Sequence, residues 1–286
     1  MKPANKASAS SVLDNPSLHI TQKVSGSDSP LFSVCTLVTK FEQYGEMKTS
    51  FAEHGFKPER AEFLIVDNSS RNSLCAYRGL AEMMDRARGE YLILCHQDLL
   101  LIADGFAELE AALRSLNELA PDWAVAGNSG VTHNRQRMLS ISDPLGESQH
   151  RGPLPARVRS LDENFLIVRR SSGIRPSPEL SGFHFYGTDL CLQAERTGRS
   201  AWVIDFHLRH LSGGRVDSSF YAEQERFEQH WGDLLGRAQL IQTTCTALIL
   251  GKGWKAWWLR RLNWVRGFIW RLRHRFAGDR AGSRAR

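Results

Sequence analysis

The sequence has no CxxC pair, no uninterrupted apolar run long enough to span a bilayer, and no hydrophobic stretch behind its N-terminal lysine. Each absence removes a class. The five cysteines, Cys35, Cys75, Cys95, Cys191 and Cys245, are odd in number and widely scattered, which argues against a disulfide framework or a zinc knuckle and fits a reducing compartment. Without an apolar segment after Lys2, the N-terminus does not read as a secretory signal. Acids are nearly missing from one region. Residues 252–286 hold eleven Lys or Arg against Asp279 alone, a charge of +10, whereas residues 1–251 carry 26 basic and 30 acidic side chains, a charge of −4. The formal +6 of the chain therefore hides a mildly acidic body and a basic tail.

What is present is enough apolar material, 42% of 286 residues, to bury a substantial core. Residues 1–30, rich in Ser, Asn, Pro and Lys, are expected to form a mostly flexible leader, with "SLHITQKV" able to supply a short edge strand. From Leu31 onward, short apolar runs alternate with amphipathic segments: "LFSVCTLVT", then Met47, Phe51 and His54 at helical spacing, then "AEFLIVDNSS", then Leu80, Met83, Met84 and Ala87 on one helical face, then "EYLILCHQD". That alternation predicts an α/β fold with a Rossmann-like open, mostly parallel sheet flanked by helices. Further on, Asp104 and Pro121 bracket a helix, "DWAVAGNSGV" reads as a strand, and Thr132 to about Arg159 reads as a flexible substrate loop. A helix is expected near Gly187, and a strand ending at His210.

In open α/β sheets ligands bind beyond the carboxyl ends of the strands. Two polar clusters stand there. Asp67-Asn68-Ser69-Ser70 closes the second strand, where an Asx turn capping the next helix is, for that motif alone, the better account. His96-Gln97-Asp98 closes the third. Residues i and i+2 of an extended strand face one side, so His96 and Asp98 can share a divalent cation while Gln97 projects away. A lone histidine at a strand end is also a common hydrogen-bonded structural residue. Asp189, in the first turn of its helix, is suited to a cap as well as to chemistry.

Seven segments, "FSVCTLVT", "EFLIVDNSS", "ARGEYLILCHQDLLL", "WAVAGNSG", "LDENFLIVRR", "GFHFYGTDLCLQAERTG" and "HLSGG", occur in an order that resembles family-two glycosyltransferases of GT-A fold over roughly residues 31–215. The likeness is to a branch in which HQD stands in place of DxD. The resemblance implies a GT-A domain over 31–250, with a nucleotide-sugar half at 31–130 and an acceptor half at 131–250. On the donor side it implies Thr39, Asp67, Arg78, His96, Gln97 and Asp98, with Asp67 reading the base and His96 near the ribose or sugar phosphate. Asp98 and His210 would hold Mn²⁺ or Mg²⁺, and Asp189 would be the catalytic base. Gly182, Phe183, His184 and Tyr186 would line the acceptor side, although core packing accounts for Phe183 equally well. The chain departs from the family at Arg78 and at "RPSPEL".

The implied activity is metal-dependent, inverting transfer of a sugar from a nucleoside diphosphate sugar, UDP-linked by preference and GDP- or dTDP-linked otherwise. The acceptor would be a hydroxyl of a glycan or lipid-linked molecule, in surface polysaccharide assembly. A nucleotidyltransferase and a catalytically degenerate membrane-docked scaffold are the alternatives. In the tail, residues 251–286, Trp254, Trp258, Leu262, Val265, Ile269, Leu272 and Phe276 fall on one helical stripe, with Lys255, Arg260, Arg266, Arg271 and Arg273 mainly elsewhere. That predicts a basic amphipathic helix, lying through residues 252–276 on an anionic membrane surface, which places the protein in the cytoplasm on the inner face of the membrane; the alternative is a helix docked back on its own domain, which would hide the stripe and leave the arginines unexplained. No nucleic-acid partner is expected, since no recognised module accompanies the arginines.

Overall fold

The structure is a computed structural model, and it describes residues 17–23, 29–214, 216–259 and 261–262. The remainder of the expected leader and the tail positions Arg260, Val265, Arg266, Ile269, Arg271, Leu272, Arg273 and Phe276 lie outside the described residues.

The chain begins with β1 (Leu18–Gln22), β2 (Phe32–Val38), α1 (Phe41–Glu53), β3 (Ala61–Asp67), α2 (Ala76–Arg86) and β4 (Tyr91–Cys95). A two-residue strand β5 (Leu99–Leu100), α3 (Phe106–Leu119), β6 (Trp123–Gly127) and β7 (Ser129–Val131) follow. Next come β8 (Arg137–Asp143), β9 (Gly146–Arg151), β10 (Ala156–Val158), β11 (Ser160–Leu161) and β12 (Phe165–Arg169). The last part holds α4 (Tyr186–Arg196), β13 (Ser200–Val203), β14 (Leu208–His210), α5 (Ser218–Leu235), β15 (Gln239–Gln242) and β16 (Ala247–Leu250). Residues 253–259 and 261–262 are helical, the described beginning of the tail.

The main sheet runs β1-β3-β2-β4-β12-β6-β13-β10. Strands β3, β2, β4, β6 and β13 point one way, and β1, β12 and β10 oppose them, so the sheet is the open α/β type expected. The edge strand read in "SLHITQKV" is β1, antiparallel to β3.

Alternation along the strands explains why both faces are covered. In β4, Leu92 and Leu94 belong to one core with Leu80, Met83 and Met84 of α2, while Tyr91, Ile93 and Cys95 belong to another with Met47 and Phe51 of α1 and Leu109 and Leu113 of α3. Successive side chains of a strand point to opposite faces, so a strand that is apolar throughout needs a helix layer on each side. The second core is aromatic: Phe32 lies 5.0 Å from Phe106 and 5.5 Å from Phe56, ring centre to ring centre. Burial of each such ring is worth about 2–3 kcal/mol relative to exposure.

Two expectations are corrected. Thr132 to Arg159 is no loose loop: β8 and β9 form an antiparallel hairpin, with Leu139 opposite Arg151, and β10 joins the main sheet beside β13. The sequence of β8 carries no clear hydrophobic period because Ser140 and Ser142 are buried beside Met138 and Ile141. Asp104 does not cap α3; Gly105 occupies that position, and the Asp104 carboxylate accepts the backbone N–H of His207 at 2.6 Å.

A second sheet, β11-β7-β8-β14-β5 with β9 on β8, gathers segments distant in sequence. Its β5–β14 pair sets Leu99 opposite His210, so a two-residue ladder joins the third strand's end to the chain 110 residues later. No helix among the described residues is long and apolar enough to cross a membrane.

Candidate active site

His96-Gln97-Asp98 is a turn between β4 and β5, not the extended strand end expected. Backbone bonds hold it at both sides. The N–H of His96 donates to the carbonyl of Asn164 at 3.0 Å, and the N–H of Leu211 donates to the carbonyl of Asp98 at 3.0 Å. Gln97 turns away from the other two: its Oε1 accepts the N–H groups of Thr39 and Lys40 at 2.8 and 2.9 Å, and its Nε2 donates to the Thr39 hydroxyl. Gln97 and Thr39 thus latch the turn to the start of α1.

His96 and Asp98 come together with His210. One potential ligand atom from each of the three lies within 4.8 Å of the others. His96 Nδ1 is 3.2 Å from His210 Nε2, which is 3.4 Å from Asp98 Oδ1 and 3.2 Å from the Ser212 hydroxyl. The Tyr186 hydroxyl decides which nitrogen of His96 faces inward. It donates to the carbonyl of Glu163 at 3.1 Å and sits 3.1 Å from His96 Nε2. Having one proton, already given to Glu163, that hydroxyl can only accept from His96, so Nε2 carries the hydrogen and the Nδ1 lone pair points at His210.

Electrostatics agree with that arrangement. Burial, and then the neighbouring His210, hold His96 below the usual imidazole range, in its neutral form. Burial alone would raise Asp98, but the hydrogen bond and charge of His210, with Ser212 and His96, keep it well below the usual carboxylate range. Two imidazoles and one carboxylate form a mixed nitrogen and oxygen donor set that fits a borderline divalent ion such as Mn²⁺.

A cavity of about 630 Å³ opens over these three residues. Thr39, Gln97, Phe183, His184 and Tyr186 contribute to its wall, as do Asp162, Glu163 and Asn164 from the turn before β12. The backbone shapes this wall. Phe185 adopts a left-handed conformation, φ 69°, which sends its ring into Phe220 and Phe227 of α5 while His184 and Tyr186 remain at the cavity. Such a conformation is unfavourable for a non-glycine residue and persists only where packing imposes it. Gly182, φ 120°, lies against the Glu223 carboxylate where any Cβ would collide; Glu223 in turn accepts the N–H groups of Phe183 and His184. Gly182 shapes the loop but does not face the cavity.

Three further expected site residues stand apart. Asp67 ends β3 with Oδ1 accepting the N–H of Ser69 at 2.8 Å, an Asx turn whose hydrogen bonds from Ser69 lower its pKa; its neighbour Asn68 reaches the cavity wall, whereas Asp67 does not. Arg78 is exposed on α2 and does not line the cavity. Asp189 is fully buried on α4, away from the cavity wall. Its carboxylate accepts the Ser177 N–H at 2.7 Å, the Ser177 hydroxyl at 2.6 Å and the Trp231 indole at 2.9 Å. Burial raises its pKa to about 6, with the Ser177 and Trp231 hydrogen bonds opposing the rise. The geometry is that of a carboxylate tying α4 to α5 and to the loop before it. A helix-start aspartate reads the same in sequence whether it points outward or inward, so only the position of Trp231 reveals the difference.

Sequence reasoning missed Asp162, Glu163 and the β15–β16 turn. Thr244 in that turn donates to Asp162 Oδ2 at 2.7 Å, and Thr244 and Cys245 complete the cavity wall. The signal available is "LDENF", an acidic break in a strand-like run.

No family model matches the chain. Among solved structures, similarity extends to Staphylococcus aureus TarS 1–349 in complex with UDP-GlcNAc, with a TM-score of 0.45 and 13% identity over 68% of this chain and 64% of that one. GalNAc-T7 with UDP, GalNAc and Mn²⁺ gives a TM-score of 0.49 and 8% identity over 73% of this chain and 50% of that one. The mannosyltransferase PcManGT of Pyrobaculum calidifontis, in complex with GDP-Man and Mn²⁺, gives 0.47 and 10% over 79% and 69%. The chain therefore spans about two thirds of the TarS fragment and half of GalNAc-T7. At such identities no residue role transfers. Sequence likeness is much stronger to one protein of Fuscovulum blasticum, 39% identical over 231 residues that cover 78% of this chain and 92% of that protein. The chain belongs to the family of that protein, the ATP synthase subunits region ORF 6, whose name states no activity.

Proposed function

We propose that this protein is a metal-dependent glycosyltransferase that moves a sugar from a nucleoside diphosphate sugar to a hydroxyl of a glycan or lipid-linked acceptor. The observation that carries the reading is the meeting of His96, Asp98 and His210 at the floor of one cavity, at the carboxyl end of β4. That is where open α/β sheets bind ligands. His96 Nδ1, Asp98 and His210 Nε2 would hold Mn²⁺ or Mg²⁺. Bound there, the ion supplies positive charge against a leaving diphosphate.

The chain's own residues do the rest. Asp98 stays ionised and His96 stays neutral, so both present lone pairs without first losing a proton. The acceptor enters past His184 and Phe183, and its oxygen displaces the diphosphate directly, inverting the anomeric carbon. Residues 31–130 form the donor half and residues 131–250 the acceptor half. UDP-sugars stand first in the screen, with GDP- and dTDP-sugars beside them. A degenerate scaffold is disfavoured by the intact charge arrangement at the three residues.

The tail docks on an anionic membrane surface at the inner, cytoplasmic face, which suits a surface-polysaccharide acceptor. Trp254, Trp257 and Trp258 are 70%, 49% and 52% exposed. Lys255 and Arg261 sit over the rings of Trp254 and Trp257, a pairing of aromatic and cationic groups that interfacial helices use.

The test is thermal stabilisation by UDP, GDP and dTDP sugars with and without Mn²⁺, followed by measurement of nucleotide release. Stabilisation that requires Mn²⁺ together with one nucleotide supports the reading. Absence of both metal-dependent stabilisation and release across the panel rejects it.

A further inference from the structure

We propose that Glu163 takes the proton of the acceptor hydroxyl, the role the family resemblance implies for Asp189; this rests on the glycosyl-transfer reading above. Transfer needs a proton acceptor in reach of the acceptor oxygen, and the cavity wall carries few candidates. His96, Asp98 and His210 face one another. Asp143 is held in the β8–β9 turn through Oδ1, which accepts from the N–H of Leu145 and from Gln149 Nε2, each at 2.8 Å. Asp162 is engaged at both oxygens, by the backbone and side chain of Asn164 and by Thr244. Tyr186 and Cys245 keep their protons, pushed up chiefly by burial.

Glu163 is different. Its carboxylate, half-buried at the cavity wall, meets only the backbone N–H groups of Glu163, Gly187 and Phe185, and among the described residues no side chain is hydrogen-bonded to it. The turn that carries it is pressed directly on the start of α4: a Cβ on Gly187 would meet the carbonyl oxygen of Leu161 at 2.6 Å. This close approach brings the Glu163 carboxylate beside the backbone amides of Phe185 and Gly187, which favour its anion. The Tyr186 hydroxyl ties the same turn to His96, so proton acceptor and cation ligands are fixed to one another by a single side chain. Burial, followed by the charge of Asp162, raises the carboxyl to about 8, near the pH at which a general base works best.

In the step itself the acceptor O–H proton passes to a Glu163 carboxylate oxygen while the acceptor oxygen bonds the anomeric carbon. The bond from that carbon to the diphosphate oxygen breaks, and its electron pair leaves with the nucleoside diphosphate.

The experiment uses the full chain with Mn²⁺ and a panel of UDP-, GDP- and dTDP-sugars, reading nucleotide release with water as acceptor, and UDP or GDP affinity in parallel. Glu163→Gln should lower kcat by about 10²-fold or more while nucleotide affinity stays within about twofold. Glu163→Ala should regain part of the rate with added formate, a rescue that a folding defect would not show. The wild-type rate should climb with pH to about 8 and level off, and that limb should vanish in Glu163→Gln. An active wild type with Glu163→Gln equally active overturns the proposal. So does an active wild type in which His184→Gln, the neighbouring cavity imidazole, shows the loss instead. A wild type that releases no nucleotide from any donor overturns the glycosyl-transfer reading itself, and this proposal with it.

Discussion

Nδ1 of His96 and Nε2 of His210 lie 3.2 Å apart although 114 residues separate them, and the carboxylate of Asp98 faces the second at 3.4 Å. Nothing local makes that meeting. It is produced by β5 pairing with β14 and by β4 pairing with β12.

If those three residues form a cation site, removing any one should weaken Mn²⁺ binding without unfolding the domain. Asp98→Ala and His210→Ala should each raise the Kd for Mn²⁺ by at least about tenfold, measured by calorimetry in the presence of UDP. Metal-dependent thermal stabilisation by nucleotide should disappear with Asp98→Ala. An unchanged Kd in both variants would count against the cation site.

Tyr186 acts on the metal through His96. Tyr186→Phe removes the acceptor for His96 Nε2–H, so the ring is free to carry its proton on Nδ1, the nitrogen the cation needs. Mn²⁺ affinity should fall by about 10-fold to 100-fold, with little change in nucleotide affinity measured without metal. Equal metal affinity in the two proteins would show that the hydroxyl does not set the tautomer.

Asp189→Asn should chiefly cost stability. An amide offers one acceptor oxygen and adds a donor, yet the site presents three donors, from Ser177 twice and Trp231 once. The unpaired groups should cost about 2–4 kcal/mol, lowering Tm by several degrees. Wild-type Tm with loss of turnover alone would return Asp189 to the role of catalytic base.

Glu163 also gives stability a pH dependence. Its carboxyl is raised from 4.5 to about 8, with burial first and Asp162 second as causes. Facing it are Tyr186 and Cys191 on α4, Tyr77 on α2 and Cys245 in the β15–β16 turn. Between those two pH values the folded chain holds the proton and the unfolded chain has released it. The stabilising contribution is therefore complete below about pH 4.5 and is lost as pH rises through about 8. Relative to Glu163→Gln, the wild type should lose on the order of 1–3 kcal/mol across that window, allowing for partial exposure. Denaturant unfolding at pH 5 and pH 8 reads the difference; parallel behaviour of the two proteins would contradict it.

For the tail, deletion of residues 252–286 should abolish cosedimentation with vesicles containing phosphatidylserine while leaving nucleotide affinity unchanged. Trp254→Ala with Trp258→Ala should weaken it at least several-fold, because both apolar anchorage and charge are needed at an interface. Vesicle binding by the deletion variant would refute the anchor.

How much of this was legible depended on the range over which each feature is encoded. The order of strands and helices from Leu31 to Arg86 is written in local apolar periods, and so was read directly. The tail's asymmetry is likewise a matter of composition. His96 and Asp98 are legible as partners from two-residue spacing, even though they occupy a turn and not a strand, because either conformation sets aside Gln97. The hairpin of β8 and β9 is not legible, since Ser140 and Ser142 are buried without being apolar and β9 buries no side chain fully.

The sequence by itself determined the residue types, their local conformation and the alternating burial that builds a sheet between two helix layers. Only the tertiary structure decided which carboxylates face the cavity and which are consumed inside. Asp189 and Glu163 are both acids beside the start of α4, but one lies under Trp231 and the other borders the cavity. That distinction rests on where α5 and the β15–β16 turn come to lie, contacts made across 42 and 82 residues whose energies no local period carries.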